Sequence, residues 1–338
     1  MRTIVGLRRI ALVAVLAGIG AVAGAAGCTL FQSEQVAKGQ HLYAHYCMHC
    51  HGEHGRQNEG YNWGKMPDPR PKDLSNKAEM STFKDEEIFS TISRDMKDTT
   101  PEKGDKIGDD EFAVPTMPTF KYTLSEEEIW SIVAYVRTLH GMKSEFDIPA
   151  RIKKLEGGKL ASQKNFDQSK QTFEAAQKKA EDEAEKAGKD DADESAYAKE
   201  QEAFVAAKKA LDAAQAALTS FKERPKFAAV PRPDLTMKPD QAAKLAERGK
   251  QLYANKYGCN ACHQVGDAGG AVGPALDRAG FRLNGTWVFR WIKYPQSMKP
   301  DTRMPNLGLS DQDARAVTMY LTTLRASKPD KPIERAAN

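Results

Sequence analysis

The chain has 338 residues, 40% of them hydrophobic and 28% charged, with 50 Lys/Arg against 46 Asp/Glu. That length and apolar share give room for two domains, or three small ones, each folding around a core. The basic residues are scattered rather than clustered, which argues against a nucleic-acid partner. Of five cysteines, four sit in two short stretches, YAHYCMHCHG and YGCNACHQVG, and the fifth, Cys28, closes an apolar N-terminus, so none is left over for a disulfide.

Residues 1–27 do not belong to the folded body. MRTIVGLRR carries Arg2, Arg8 and Arg9, and the next eighteen residues, Ile10 to Gly27, are uncharged and mostly apolar. A positive start, an apolar middle and small residues at the end are the layout of a bacterial export signal. AAGC, Ala25 to Cys28, resembles the lipobox of bacterial lipoproteins, which implies a lipid anchor on Cys28. Leucine is more usual where Ala25 stands. Two alternatives remain at this point: cleavage after Ala23-Gly24-Ala25, or an uncleaved N-terminal span, since eighteen residues is close to the lower limit of about 17 for a membrane helix. All three place the body outside the cytoplasm, on the periplasmic side of a membrane, and the first and third tether it there.

The body then reads as two copies of one unit around an unlike middle. Copy one occupies residues 28–148, the middle 149–230 and copy two 231–338. GQHLYAHYCMHCH, Gly39 to His51, aligns with GKQLYANKYGCNACH, Gly249 to His263, and LSEEEIWSIVAYVRTL, Leu124 to Leu139, aligns with LSDQDARAVTMYLTTL, Leu309 to Leu324. The closing segments are amphipathic helices with capping-box signals, Ser125 with Glu128 and Ser310 with Asp313. Each copy thus has an opening helix, a cysteine pair, Gly- and Pro-containing loops and a closing helix.

The middle is rich in Ala, Lys, Glu, Asp and Gln. Phe166, Phe173, Ala180 and Ala187 fall seven apart, as do Tyr197, Phe204, Leu211 and Leu218. These are coiled-coil seams. Gly188 ends one helix, and Asp190 or Asp191 caps the next. The reading is an antiparallel hairpin with arms of about 45 Å, in which Ala180 faces Phe204 and Ala187 faces Tyr197. The alternative, one unbroken helix, would hold the flanking copies ~100 Å apart.

Cys-x-x-Cys-His limits the chemistry of the two short stretches. Zinc needs four ligands, usually two cysteine pairs brought together, and has no use for a histidine directly after the second cysteine. A thioredoxin-like motif needs a βαβ setting that is not visible here. Covalent haem c fits: Cys47 and Cys50, and Cys259 and Cys262, add to the vinyl groups, and His51 and His263 follow as proximal iron ligands. Two copies behind an export signal make accident a poor explanation. For the sixth ligand, copy two has one histidine only, His263, and four methionines, Met237, Met298, Met304 and Met319. Met319 lies inside the closing helix and reads as core packing. Met304-Pro305 lies in the loop before that helix, as Met117-Pro118 does in copy one. A third pair, Met66-Pro67, precedes no helix.

Each copy resembles a class I cytochrome c domain, and the chain resembles a dihaem c-type cytochrome lipoprotein: an all-α protein with two such domains joined by a long antiparallel helical hairpin. Copy two is the nearer match. Its GPAL, Gly273 to Leu276, is similar to the family loop in which a proline carbonyl holds the proximal histidine, which implies that Pro274 supports His263. The resemblance also implies that the opening and closing helices cross at a glycine and an aromatic, Gly39 with Tyr135 and Gly249 with Tyr320. Copy one departs from the pattern. Cys47 to Met117 spans 70 positions against 45 from Cys259 to Met304, its extra length includes the acidic MKDTTPEKGDKIGDDEF, and no proline matches Pro274. Its spare histidines, His41, His45, His49, His54 and His140, read as surface or helix-face residues, the alternative being that one replaces Met117.

The expected function is relay of single electrons outside the cytoplasm in a respiratory chain, because iron held by His and Met on its two faces has no open site for substrate. The expected donor is a quinol-oxidising complex or a dehydrogenase, and the acceptor a soluble cytochrome or a terminal oxidase. Residues 28–145 carry 14 Lys/Arg and 20 Asp/Glu, a net of −6, whereas residues 235–338 carry 16 and 9, a net of +7. Opposite poles favour different partners at the two ends. The competing class is a dihaem enzyme, peroxidase-like or a sulfur-compound oxidoreductase, which would need a vacant or displaceable iron ligand.

Overall fold

The computed structural model describes residues 34–61, 63–66, 70–96, 117–227 and 232–326. The export segment with Cys28, the acidic stretch 97–116 and Pro67 lie outside the described residues. The described chain is helical, without a strand; one isolated bridge joins Val265 and Ala268. No helix among the described residues is long and apolar enough to cross a membrane.

Copy one opens with α1 (Glu34–Tyr46) and the short α2 (Met48–His51), continues through α3 (Lys77–Met80) and α4 (Asp85–Ser93), and closes with α5 (Glu126–Leu139). Ser125 caps α5 reciprocally: its side chain accepts from the Glu128 N–H, and its own N–H donates to the Glu128 carboxylate. The apolar stripe of α5, including Ile129, Ile132, Val133 and Val136, is buried against Leu42 and Tyr43 of α1. The helices cross closely because position 39 has no side chain. A Cβ on Gly39 would stand 1.8 Å from the Ser131 carbonyl oxygen and 3.0 Å from the Tyr135 Cβ.

The same crossing recurs in copy two between α8 (Pro239–Gln251) and the closing α12 (Asp311–Thr323). There a Cβ on Gly249 would meet the Ala316 carbonyl oxygen at 1.9 Å and the Tyr320 Cβ at 3.0 Å. Between them come α9 (Ala279–Arg282), α10 (Gly285–Lys293) and α11 (Pro295–Met298). The expected capping box at Ser310 is only half formed. Ser310 accepts from the Asp313 N–H at 3.1 Å, but the Asp313 carboxylate turns inward to Tyr257 Oη (2.7 Å) and Lys256 Nζ (2.8 Å). Aspartate is one methylene shorter than glutamate, and buried donors compete for it.

The middle folds back on itself as α6 (Ile148–Lys186) and α7 (Ala198–Lys222). The arms are unequal, 39 and 25 residues, or ~58 and ~38 Å, rather than two of similar length. Gly188 ends α6 at φ +68, and the residue that caps the return is Asp193, not Asp190 or Asp191. The register also differs. Phe204 packs between Phe166 and Phe173, with ring centroids 5.4 Å from each, and Tyr197 meets Phe173 at 5.8 Å. Ala180 and Ala187 are therefore not the partners of Phe204 and Tyr197.

The hairpin base is fused to copy one. Phe221 and Ile148 are buried in that copy's core, and Arg224 grips Glu128 through Nε and Nη2 at 2.8–3.0 Å. Three residues beyond Arg224, Phe227 stacks on Tyr294 of copy two at 4.9 Å.

Candidate functional site

In copy one, α1 delivers Cys47 into a single tight turn. The Cys50 and His51 N–H groups both donate to the Cys47 carbonyl, at 3.1 and 2.9 Å, and Tyr43 Oη closes the turn onto the Gly52 carbonyl at 2.8 Å. In copy two the Cys262 and His263 N–H groups donate to the Cys259 carbonyl at 3.2 and 2.9 Å, and Tyr253 Oη donates to the His263 carbonyl at 3.2 Å. The two turns agree to 0.1 Å in these backbone bonds. All four cysteines are free thiols. Burial pushes the Cys47 thiol up to about 12, with the neighbouring Cys50 adding to it, and burial pushes Cys259 up to about 12 as well.

The histidines are oriented by backbone carbonyls. His263 Nδ1 lies 2.8 Å from the Pro274 oxygen. A carbonyl only accepts, so Nδ1 carries the proton and Nε2 keeps its lone pair. Gly273 lets the loop approach, since a Cβ there would stand 2.4 Å from His263 Cε1. In copy one the carbonyl is that of Lys72, 3.4 Å from His51 Nδ1. Lys72 was not foreseen, because any residue type can offer a backbone carbonyl. The nearest signal is Leu74, whose N–H bonds back into the loop at 2.8 Å as Leu276 does in copy two. Burial lowers the pKa of both histidines, outweighing these backbone bonds, so the rings are neutral.

Beside the first turn lies a cavity of about 700 Å³, lined by Cys47, Cys50, His51 and Met117 among apolar side chains such as Phe83 and Ile88. Met117 therefore faces the same space as His51. Met66 and Met80 also reach it. Of the five spare histidines, only His49 does. It is 4% exposed, stacks on Tyr61 at 5.1 Å, and neither ring nitrogen has a hydrogen-bond partner. His140 is buried too, with Nδ1 3.0 Å from the Leu74 oxygen. The surface reading of these two is corrected: His49 is buried under Tyr61, and His140 is buried at the C-terminal end of α5 against the Leu74 carbonyl. In copy two, Met304 is fixed at both ends of its residue. Trp291 Nε1–H donates to its sulfur at 3.0 Å, and Gln296 Nε2 donates to its carbonyl at 2.8 Å. Met304 and Cys259 pack against one cluster. Met319 is half-buried in α12, where its carbonyl accepts from Thr322 Oγ1 at 2.7 Å.

This donor set suits haem c: paired thiols, an imidazole with a free Nε2, and a thioether in or beside an apolar space sized for a cofactor. Among the described residues, no group of three or more His, Cys, Asp or Glu side chains is gathered to hold a bare metal ion.

The comparisons agree with this chemistry. The family model for cytochrome c matches two separate stretches, residues 36–140 and 246–325. A similar protein is cytochrome c oxidase subunit 2 of Alkalihalophilus pseudofirmus, 34% identical over 90 residues, which is 24% of this chain and 26% of that relative. The chain thus spans about a quarter of that relative's length. No solved structure matches. With two matched stretches that together cover more than half of its length, each holding one Cys-x-x-Cys-His turn, the chain belongs to the cytochrome c family and carries two of its domains.

Proposed function

We propose that this chain is a dihaem electron carrier, anchored by lipid at Cys28 to a bacterial membrane and facing the periplasm. Cys47 and Cys50 bind one haem c, Cys259 and Cys262 the other. His51 and Met117 would ligate the iron of the first haem, and His263 and Met304 that of the second. Each haem c supplies a one-electron iron(III)/iron(II) couple. The chain's own residues hold the imidazoles in the right tautomer through Lys72 and Pro274, and the Trp291 and Gln296 bonds keep the Met304 sulfur in place. A thioether ligand favours the reduced metal and raises the potential.

The observation that carries this reading is the pair of near-identical turns, each with a carbonyl-oriented histidine and a Met-Pro loop ahead of its closing helix. An export layout at residues 1–27 supports the location. The opposite charges of the two copies support separate partners: a quinol-oxidising complex or dehydrogenase on one side, a soluble cytochrome or terminal oxidase on the other. The likeness to a protein named cytochrome c oxidase subunit 2 supports the oxidase side.

The test is spectroscopic. Pyridine haemochrome should count two haems per chain, and the weak red-edge Met–iron(III) charge-transfer band should have the intensity of two. Ready binding of carbon monoxide to the intact reduced protein would overturn the carrier reading in favour of a dihaem enzyme. Purification from membranes in mild detergent separates a free carrier from a complex subunit, which would co-migrate with an integral partner.

A further inference from the structure

The two attachment turns meet. Cys50, second cysteine of the first motif, and Cys262, second cysteine of the other, line one cavity. One side of the first copy's cavity is closed by Ala261, Cys262, Val272, Arg303 and Pro305, all from copy two. This is not a chance touch of two loops, because a buried seam holds it. The Asn306 N–H donates to Thr123 Oγ1 at 2.9 Å, and both residues are 2% exposed. The Tyr122 ring lies so close to Gly308 that a Cβ there would stand 2.3 Å from Cε2. Met96 of copy one packs on the core of copy two.

We propose that this junction is the electron path within the chain: copy two closes the first crevice beside Cys50, so that the groups the two motifs would hold approach one another where Cys50 and Cys262 line one cavity. The proposal rests on the dihaem reading above. A thioether sulfur is one bond from the porphyrin substituent it holds. Two such sulfurs lining one cavity would bring two conjugated rims near each other, and electron tunnelling falls steeply with separation. The seam at Thr123, Tyr122 and Met96 does not depend on the thiols and keeps the turns in place when both sulfurs are alkylated. One electron leaves the reduced member of the pair and reduces the oxidised member; no atom or proton is transferred. The same closure removes this edge of the first crevice from outside partners, which must exchange electrons elsewhere on the surface.

Circular dichroism in the Soret region of the holoprotein tests the arrangement. Rim-to-rim haems give a bisignate couplet. Thr123→Arg, which forces a charge into the buried seam, should shrink that couplet several-fold, whereas Thr123→Val, which drops one hydrogen bond, should keep most of it. A spectrum that is the plain sum of two isolated haems would overturn the proposal. Should Thr123→Arg fail to fold, the unaltered protein decides: the low-spin iron(III) EPR lines should be broader when both haems are oxidised than when one is reduced, and identical line shapes reject the junction. Failure here is distinct from failure of the carrier reading. Two low-spin haems without coupling sink the junction alone, while a single haem or a carbon monoxide complex sinks the carrier.

Discussion

The two cytochrome copies share their attachment turns and their helix crossing but brace them by opposite means. Copy two is short, and its closing helix is tied down by one buried carboxylate on that helix: Asp313 receives Tyr257, Lys256 and, at 3.5 Å, Arg248 from the opening segment. Copy one is longer, and the sense is reversed. Arg137, 3% exposed on the closing helix, donates to Asp85 at 2.5 Å and to the Met80 and Phe83 carbonyls at 3.0 and 2.6 Å. Asp85 also receives Ser144 Oγ and the Glu145 N–H, at 2.7 and 2.8 Å, so α4, the closing helix and the segment entering the hairpin are locked at one point. The turn is local and repeats; its bracing is tertiary and diverges. The motif histidines His263 and His51 follow the same pattern, with Pro274 at 2.8 Å and Lys72 at 3.4 Å.

The contrast can be broken most severely at what the copies share. Gly39→Val and Gly249→Val each place side-chain atoms where a backbone carbonyl already stands, with no flexible group to yield. Each should cost about 4–5 kcal/mol or more and unfold its own copy first, seen by calorimetry as the loss of one transition. If either variant melts like the parent, the crossing is not as close as described.

Next comes the bracing peculiar to copy one. Arg137→Ala leaves Asp85 buried without its cation, at a cost of about 3–5 kcal/mol. Resonances of copy two should be unchanged by NMR; a uniform change in both copies would mean that the lock is not local. Acid sharpens the same comparison. Burial alone would raise the Asp85 carboxyl, but hydrogen bonds from Ser144, Arg137 and Glu145 together hold it below the ordinary range. For Asp313, burial is outweighed likewise by Lys256 and Tyr257. A depressed folded pKa means the stabilisation is full above the unfolded value of about 3.9 and is lost as pH falls through the folded value. Melting temperatures should therefore drop for both copies at acid pH, and Asp85→Asn should flatten that dependence for copy one only.

The smallest effect belongs to the hairpin. Phe173→Ala removes a half-buried ring from between Tyr197 and Phe204 and should cost about 1–2 kcal/mol, less than a fully buried Phe→Ala. Far-UV circular dichroism should show earlier melting of part of the helix, with haem content unaltered; a fall in haem content would tie the hairpin tip to the cytochrome cores.

The chemistry was legible in the sequence wherever it is written in side chains close together. Cys-x-x-Cys-His, the crossing glycines 39 and 249 and the Ser125 cap each need a particular residue type at a fixed spacing. Pro274 was legible only because a resemblance named its loop. Lys72 was not, since any residue offers a carbonyl and the chain must fold before one is chosen. The hairpin was legible as a hairpin, but its register was not. A heptad seam looks the same after a slip of seven residues, and the choice was made at the far end, where Phe221 enters the core of copy one and Arg224 grips Glu128.

By itself, the sequence determined two haem-type turns, their closing helices and an all-α chain, because helix periodicity and covalent attachment chemistry act over a few residues. Only the tertiary structure decided that the turns face one another, that copy two walls the crevice of copy one, and that opposite ionic locks secure the two closing helices. Those outcomes depend on which distant surfaces exclude water together, and no local pattern encodes that.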